Sequence, residues 1–411
     1  MTTSSETDFV RRIEALPPLP AIAHTILAVT SSPDASAHQV AQALRQDPSV
    51  ASRILRVANS PFYGASQEIT QISRAVVMLG ARAIRNLVLG ICARSALIPS
   101  AAQSPMHGVL WRHSVATATA CDLIARSTRR MPPEEAFLAG LLHDAGKLAM
   151  VGYDADFISA VADKRLPEAA CRDAERDRFG IDHAEAGCQI LARWGLPESL
   201  CRVAGDHHAE AFEPSDKGAL LLAITMLADD VAHIAGHAPD TPAGSERRLG
   251  DLVAYSGLSE SDVITLFSEL NARAEDAFDA LGARCVQRCS PTLQGLSRIQ
   301  WITCDGASGR SLSMEYLTSI GCDIHRVNGP GLCVDLPTED AIFIEQADDD
   351  PSTAVELASK LTGGGCRKVV LLGEPGDDEV CRRRDATSGA GVVPRVFTVF
   401  DISWLERQWQ A

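Results

Sequence analysis

Leu141-Leu142-His143-Asp144-Ala145-Gly146-Lys147 sets a histidine and an aspartate side by side at the end of an apolar helical run. Thirty positions upstream, His113 stands in Trp-Arg-His-Ser near the start of another apolar helix. Downstream follow His183, the pair His207-His208 after Asp206, and Asp229-Asp230 on a third apolar stretch. Imidazoles and carboxylates carried by neighbouring helices are what a mononuclear or dinuclear metal centre requires. A divalent ion (Fe, Mn, Zn, Ni or Mg) held there would polarise a phosphoryl oxygen. A lone core histidine more often packs and hydrogen-bonds than binds a metal, so His24, His38, His107, His233, His237 and His325 are assigned to packing. For His113, His143, Asp144 and Asp229 that reading is poor, because four polar residues recur in otherwise apolar helices. Adjacent helical positions point about 100° apart, so His207 and His208 need not face one site.

Around this motif the chain reads as helical as far as about residue 285. Asp47-Pro48 predicts an N-cap with proline in the first helical position, followed by Val50, Ile54 and Val57 at helical spacing. Leu16-Pro17-Pro18-Leu19-Pro20 predicts an extended lead-in. The apolar stretch 74–97, punctuated by Gly80 and Gly90, predicts two helices or one with a bend. Asn59-Ser60-Pro61 reads as a helix stop, with Phe62 and Tyr63 packing the junction. The segment 98–107, rich in Ser, Ala and Pro, is a connection, and a second helical block runs from 109 to about 281, interrupted by a loop at 238–247. After residue 290 short β-type runs at 298–303, 324–327, 341–344 and 369–372 alternate with helical ones at 314–320 and 353–361. That alternation predicts a parallel α/β domain.

At 411 residues, two or three domains are expected. The chain is 46% hydrophobic and 22% charged, which excludes general disorder, and aromatics at 5% suit packed helices better than a β-sandwich. The net charge of -15 repels phosphate backbones and argues against nucleic acid as a partner. Arg82, Arg85 and Arg94 are read as a solvated face. No apolar run approaches the roughly 20 residues that span a bilayer, and no basic start followed by an apolar stretch opens the chain, so a cytoplasmic protein without membrane contact is expected. The 12 cysteines form no CxxC pair and are expected to be small core residues.

The Leu-Leu-His-Asp-Ala-Gly-Lys stretch resembles the metal motif of the HD superfamily of phosphohydrolases. The N-terminal half narrows the resemblance. Leu16-Pro17-Pro18-Leu19-Pro20, Gln46-Asp47-Pro48-Ser49, the run Leu55-Arg56-Val57-Ala58-Asn59-Ser60-Pro61-Phe62-Tyr63-Gly64, Met78-Leu79-Gly80, Phe179-Gly180-Ile181-Asp182-His183-Ala184-Glu185 and Trp194-Gly195-Leu196-Pro197 resemble the HDOD (HD-related output) domain, over about residues 8–235. The resemblance implies a mainly α fold, an HD-type helical bundle over 8–285 (parts 8–100 and 108–285), and a bacterial signal-transduction module, generally without demonstrated hydrolase activity. It implies protein partners and, as a candidate ligand, a nucleotide second messenger; self-association stays open. Carried over by position, the metal ligands would be His113, His143, Asp144 and Asp229, with Asp230 an alternative to the last. His183, His207 and His208 resemble the extra histidines of the HD-GYP cyclic-dinucleotide phosphodiesterases, but no Gly-Tyr-Pro follows His208. Lys147 is either a helix-end surface residue or, in an enzyme, a phosphate contact.

Residues 295–411 faintly resemble a receiver domain of response regulators. The chemical positions depart from that pattern: Asp305 alone follows the first strand, Glu345 ends the third, Gly373 ends the fourth, and no lysine follows 396–400. The expected whole is a non-catalytic regulatory protein acting through protein contacts. The alternative is a metal-dependent phosphohydrolase acting on a nucleotide or cyclic dinucleotide. A DNA-binding regulator is opposed by the charge balance.

Overall fold

A computed structural model describes residues 4–30, 36–63, 67–98, 104–163, 168–209, 218–238 and 246–283, and beyond them only 298–303, 317, 323–328, 341–345, 369–373 and 390–394. Backbone contacts divide the chain into two units, one formed by Met1–Ala232, Ala238–Asp240 and Glu269–Gln287, the other by His233–His237, Thr241–Ser268 and Arg288–Ala411.

The first unit is helical. Its N-terminal part holds α1 (Ser4–Ala15), α2 (Ala21–Thr30), α3 (Ala37–Leu44), α4 (Pro48–Ala58), a 3-10 turn at Pro61–Tyr63, α5 (Ile72–Leu79) and α6 (Ala81–Leu97). Asp47 caps α4 as its sequence predicts, one carboxylate oxygen accepting the Ser49 and Val50 N–H groups at 3.0 Å each. α5 and α6 meet at 111°, because Gly80 takes φ 84°, a conformation costly for a side chain. The Asn59 stop is architectural: its amide donates to Ile69 O at 2.8 Å and accepts from Ile69 N at 2.7 Å, clamping the loop. The proline lead-in is tied down at Pro17 O, which accepts from the buried Trp194 indole at 3.1 Å.

The second part is α7 (Pro105–Thr128), α8 (Pro133–Leu142), α9 (Ala145–Tyr153), α10 (Ala155–Asp163), α11 (Glu168–Phe179), α12 (His183–Arg193), α13 (Glu198–Asp206) and α14 (Ala219–Ile234), with α16 (Glu260–Leu281) from Glu269 on; α15 (Glu246–Ser256) and the start of α16 belong to the second unit. α7 starts upstream of the expected residue 109, because Ser104 forms a capping box with His107 and Pro105 takes the first helical position. That box also confirms His107 as a structural residue. Arg94 is not simply a solvated residue: it is half-buried, 5.6 Å from the Trp111 ring, and donates to Gly282 O at 3.4 Å. The described cysteines are free thiols, four of them buried (Cys92, Cys121, Cys171, Cys201), as core residues would be. No single helix among the described residues is long and apolar enough to cross a membrane.

In the second unit, β1 (Arg298–Thr303), β2 (Asp323–Asn328), β3 (Ala341–Glu345), β4 (Val369–Gly373) and β5 (Ala390–Pro394) form a parallel sheet of order β2-β1-β3-β4-β5. The last strand lies upstream of the 396–400 run, which falls outside the described residues. So do the helices expected at 314–320 and 353–361, apart from Leu317, and the candidate acid Asp305. The strands alone leave an α/β receiver-like domain not shown.

Candidate metal centre

His113 rides on α7, and His143 and Asp144 form the corner between α8 and α9. His143 is the last helical residue of its turn (φ -54°), and Asp144 breaks away at φ -99° and ψ 25° before α9 begins. This break lets two adjacent side chains address one point. The corner is held close to its neighbours by small residues. A Cβ on Gly140 would meet Ala118 Cα of α7 at 2.8 Å, and one on Gly146 would meet His183 O of α12 at 1.9 Å. Glycine at 146 is therefore what allows α12 to bring His183 over Asp144.

His113, His143, Asp144, His183, His207, His208 and Asp229 are all buried, and the side chains of the first four are 1% exposed or less. His113 Nε2 stands 3.0 Å from Asp229 Oδ1 and 3.8 Å from Asp144 Oδ2. His143 Nε2 stands 3.4 Å from the same Asp229 oxygen and 3.6 Å from Asp144 Oδ2. On the other side, Asp144 Oδ1 is 3.7 Å from His183 Nε2 and 3.5 Å from His207 Nε2, and His208 Nε2 is 2.9 Å from His183 Nε2. Asp144 thus faces two sets of donors, one with each oxygen. His113, His143 and Asp144 form one compact group, and Asp144, His183, His207 and His208 another.

Ring orientation is fixed from behind. His143 Nδ1 lies 2.8 Å from Gly140 O and His207 Nδ1 lies 2.9 Å from Ala204 O. A carbonyl only accepts, so Nδ1 carries the proton and the Nε2 lone pair faces inward. Both histidines use the free carbonyls of a helix end for this. His183 reaches the same state through Glu175, whose Oε2 accepts from the His183 N–H at 2.9 Å and from Nδ1 at 2.6 Å. Such outward hydrogen bonds are what orient metal-binding imidazoles. His207 and His208 face the same cluster although adjacent; His207 caps the end of α13 with helical dihedrals (φ -64°, ψ -15°), and His208 follows it in the turn beyond the helix.

Charge is managed by the cluster itself. Burial pushes the Asp144 pKa up, but Lys147, His143 and the other histidines outweigh it and hold the carboxyl well below its usual range. Burial alone would lower His143, yet Asp144 and Asp229 raise it; His183 is likewise lowered by burial and raised on balance by Glu175. His207 is pushed down to about 4, chiefly by burial, and His208 well below its usual value by burial with His207 and His183 beside it. Neutral imidazoles are the form that binds metal.

The donor set fits a metal. Ligands about 2.1 Å from one ion stand about 3.0 to 3.4 Å apart for octahedral or tetrahedral angles, close to the separations found here. His143 Nε2, His207 Nε2 and both Asp144 oxygens have no hydrogen-bond partner of normal geometry among the described residues, although a buried unsatisfied polar group costs about 1–3 kcal/mol.

Of the sequence-predicted residues, the structure brings all seven candidate ligands together, with Asp229 facing His113 and His143. Lys147 is no surface residue: it is 5% exposed, its Nζ 3.5 Å from Asp144 Oδ2. His233, read as packing, follows Asp229 by one turn on the same face of α14 and is buried. Glu168 and Glu175 escaped sequence reasoning. Glu168 Oε1 lies 3.2 Å from His208 Nε2 and 3.8 Å from His183 Nε2. Their only signal is a spacing of two helical turns within the highly charged α11, which reads as a solvated helix.

The family model of the HDOD domain matches residues 16–210. The chain carries an HDOD domain. The match takes in six of the seven candidate ligands; Asp229 lies beyond it. Among solved structures, the chain is similar to an HDOD domain protein of unknown function from Geobacter sulfurreducens, at 24% identity and TM-score 0.56, covering 67% of this chain and 98% of that one. It is also similar to a candidate phosphohydrolase from Shewanella amazonensis SB2B, at 24% identity and TM-score 0.51, covering 68% and 98%. A third is a candidate signal transduction protein from Marinobacter aquaeolei VT8, at 20% identity and TM-score 0.53, covering 68% and 66%. These likenesses establish the HDOD fold. A curated relative, an uncharacterized protein of Treponema pallidum (strain Nichols), is 22% identical over 243 residues; the match takes in 58% of this chain and less than half, 46%, of the relative.

Proposed function

We propose that this protein is a signal-transduction module built around a divalent-metal centre, with output through protein contacts. The observation that carries this reading is the fixed tautomer of His143, His183 and His207, whose Nε2 atoms surround the two oxygens of Asp144. His113, His143, Asp144 and Asp229 would hold one ion. Asp144, His183, His207 and His208 would hold a second, with Asp144 shared. Iron, manganese, zinc, nickel and magnesium are the candidate metals, and the imidazole-rich donor set favours the transition metals over magnesium. Elemental analysis of the purified protein tests the reading. Near-stoichiometric metal that disappears in a His143→Ala/Asp144→Ala variant supports it, and no metal after incubation with excess cation overturns it.

A second reading, a phosphohydrolase acting on a nucleotide or cyclic dinucleotide, is favoured by Lys147. A buried ammonium 3.5 Å from Asp144 Oδ2 suits an anionic phosphate ester. A bound divalent ion would supply Lewis acidity toward a phosphoryl oxygen. Lys147 would bind and orient the phosphate, and the buried walls would exclude water. Hydrolysis of bis-(p-nitrophenyl) phosphate by metal-loaded protein, lost in Lys147→Met with metal content unchanged, would move the assignment to this reading.

For the C-terminal part, the strand order 2-1-3-4-5 is that of doubly wound sheets, the receiver domain included. We read it as a receiver-like module that works without phosphorylation, because Glu345 occupies the C-terminal end of β3, beside Thr303 of β1. Absence of labelling by acetyl phosphate is the expected result.

A further inference from the structure

Where α5 turns away from α6 at Gly80, a cavity of about 210 Å³ lies between the two parts of the helical unit, lined from the 3-10 turn, α5 and α6 on one side and from α7 and α8 on the other. None of the seven candidate metal ligands lines it. Leu87 and Phe137 give it apolar walls, and Met78 belongs to the lining as well. Met78 is 40% exposed and its neighbour Val77 is 73% exposed, and these are the only exposed large hydrophobic side chains among the described residues. An apolar turn of α5 is thus left in solvent beside the cavity.

Two acids and one base line the cavity, and the two acids are not equivalent. Asp122 is spent: Arg126, one helical turn on, donates to both of its oxygens, at 2.6 and 2.8 Å. Glu134, half-buried in the first turn of α8, has no hydrogen bond or ion pair to its carboxylate among the described residues. Only its backbone oxygen is used, accepting from the Asn86 amide at 2.6 Å. Arg85 spends its Nε on the Asn86 side-chain oxygen, at 3.2 Å. The negative field reaches Tyr63, whose hydroxyl is pushed up by burial and further by Asp122 and Glu134, against an opposing Arg126. A half-buried carboxylate without a partner is a place for a cationic group.

We propose that this cavity is the docking pocket of a protein partner, which inserts an arginine side chain toward Glu134 and lays flanking apolar residues on Val77 and Met78. The inference deepens the reading above, in which output passes through protein contacts, by placing that contact. Size favours one side chain, because small-molecule sites run to about 300–1,000 Å³. A guanidinium suits the lining better than an ammonium, since it stacks on aromatic faces, and Tyr63 and Phe137 both stand there. A small ligand would fill the cavity and leave the apolar turn wet; a protein partner covers both. An anchor residue in a pocket, ringed by contacts that exclude water, is the usual anatomy of an interface hot spot. The place also suits an output. α7 carries His113 as well as Asp122 and Arg126, and α8 runs from the turn holding Glu134 to the His143 corner. A partner seated here touches both helices that lead to the metal centre.

The test uses four labelled peptides, identical except for a central Arg, Lys, Gln or Glu between leucines, with binding to the full-length protein read by fluorescence anisotropy. The arginine peptide should bind about tenfold or more tighter than the glutamine peptide, the scale of a hot-spot residue. The lysine peptide should fall between them, and the glutamate peptide should be weakest. Glu134→Gln should erase the preference for arginine over glutamine, and Val77→Ser/Met78→Ser should weaken all four alike. Thermal unfolding checks that both variants fold; if Glu134→Gln does not, the double variant on the exposed turn still decides. Equal binding of the four peptides, no binding of any, or an arginine preference that survives Glu134→Gln overturns the proposal. A lysine peptide bound as tightly as the arginine one overturns the choice of a guanidinium. Agmatine, a guanidinium on a short stem, overturns the protein partner if it binds as tightly as the arginine peptide. A Mn²⁺ titration of the metal-free protein, free ion being read by electron paramagnetic resonance, runs beside these measurements. Metal bound without peptide discrimination overturns the docking pocket and leaves the metal centre standing. Peptide discrimination without metal overturns the metal centre and leaves the pocket.

Discussion

Two clusters of charged residues flank α11 and α12, and they solve the problem of burying acids in opposite ways. Around Asp182 and Asp154 the acids meet arginines. Arg172 Nε donates to Asp182 Oδ2 at 2.9 Å, Arg176 donates to the same oxygen, and Arg178 Nε donates to Asp154 Oδ2 at 2.9 Å. The other oxygens cap helices, Asp182 accepting from Glu185 N and Asp154 from Phe157 N. Each carboxylate is fully used, the arginines reach solvent, and the arrangement closes on itself. Around Asp144 the partners are imidazoles at 3.5–3.8 Å and one lysine. The groups are near but not bonded, and they lie in the driest part of the unit. A carboxylate satisfied by arginine is architecture; one surrounded by oriented lone pairs is a place for a cation.

The sharpest way to break this contrast is to remove the shared acid. Asp144→Asn should take bound metal from two ions per chain to none measurable by elemental analysis, because each subsite loses a donor and the imidazoles lose their compensating charge. Asp182→Asn should leave metal content unchanged, since its role is to cap α12 and pair with arginine. If both variants lose metal alike, the distinction drawn between the clusters is wrong. Gly146→Ala should come next. A Cβ 1.9 Å from His183 O must push α12 away from α9. The expected cost is about 1–3 kcal/mol in denaturant unfolding, accompanied by weaker metal binding as His183 withdraws from Asp144.

Much of the Asp144 cluster was legible in the sequence, and almost none of the arginine cluster was. His and Asp in apolar helices announce themselves, because nothing in packing calls for them. The segment EAACRDAERDRF gives no such contrast: its Glu175 and its exposed Asp173 look alike as letters. Which of them turns inward depends on where α12 lies, and that is set by a glycine contact 29 positions upstream of Glu175. The HDOD fold of the helical part could be read from its motifs for a related reason. Asp47-Pro48, Asn59-Ser60-Pro61 and Gly80 act through local backbone chemistry, which spacing reveals. The 298–303 and 369–373 strands were visible as β-branched runs, whereas Ala390–Pro394, with Gly and Pro among its five residues, carries little strand signal of its own.

Between the two clusters stands Glu175, which belongs to neither by contact with metal. Glu175→Gln keeps the shape and removes the charge that holds the His183 Nδ1 proton. Changes to such an orienting partner cost 10–100-fold in metal affinity, so the expected result is a loss of roughly tenfold or more at one subsite with the other unchanged. Equal weakening at both subsites, read in the same Mn²⁺ titration, would show that the two share more than Asp144.

The smallest effect belongs to the arginine cluster and depends on pH. Burial raises the Asp154 pKa, but the Arg178 guanidinium and the Phe157 N–H outweigh it, and the folded-state value lies below the usual one. A group with a depressed folded pKa contributes stability that is complete above its unfolded pKa, about 3.9 for Asp, and is lost as pH falls through the folded value. Asp154→Asn should therefore cost about 1 kcal/mol at pH 7, the size of one helix cap with a partly exposed ion pair. The difference from wild type should shrink below about pH 4, as the native carboxylate takes up its proton. Urea unfolding at pH 7 and at pH 3 reads both terms. A difference that persists at the lower pH would mean that Asp154 acts through its shape as a cap and not through its charge, and the arginines would then be bystanders to the packing of α10 against α9.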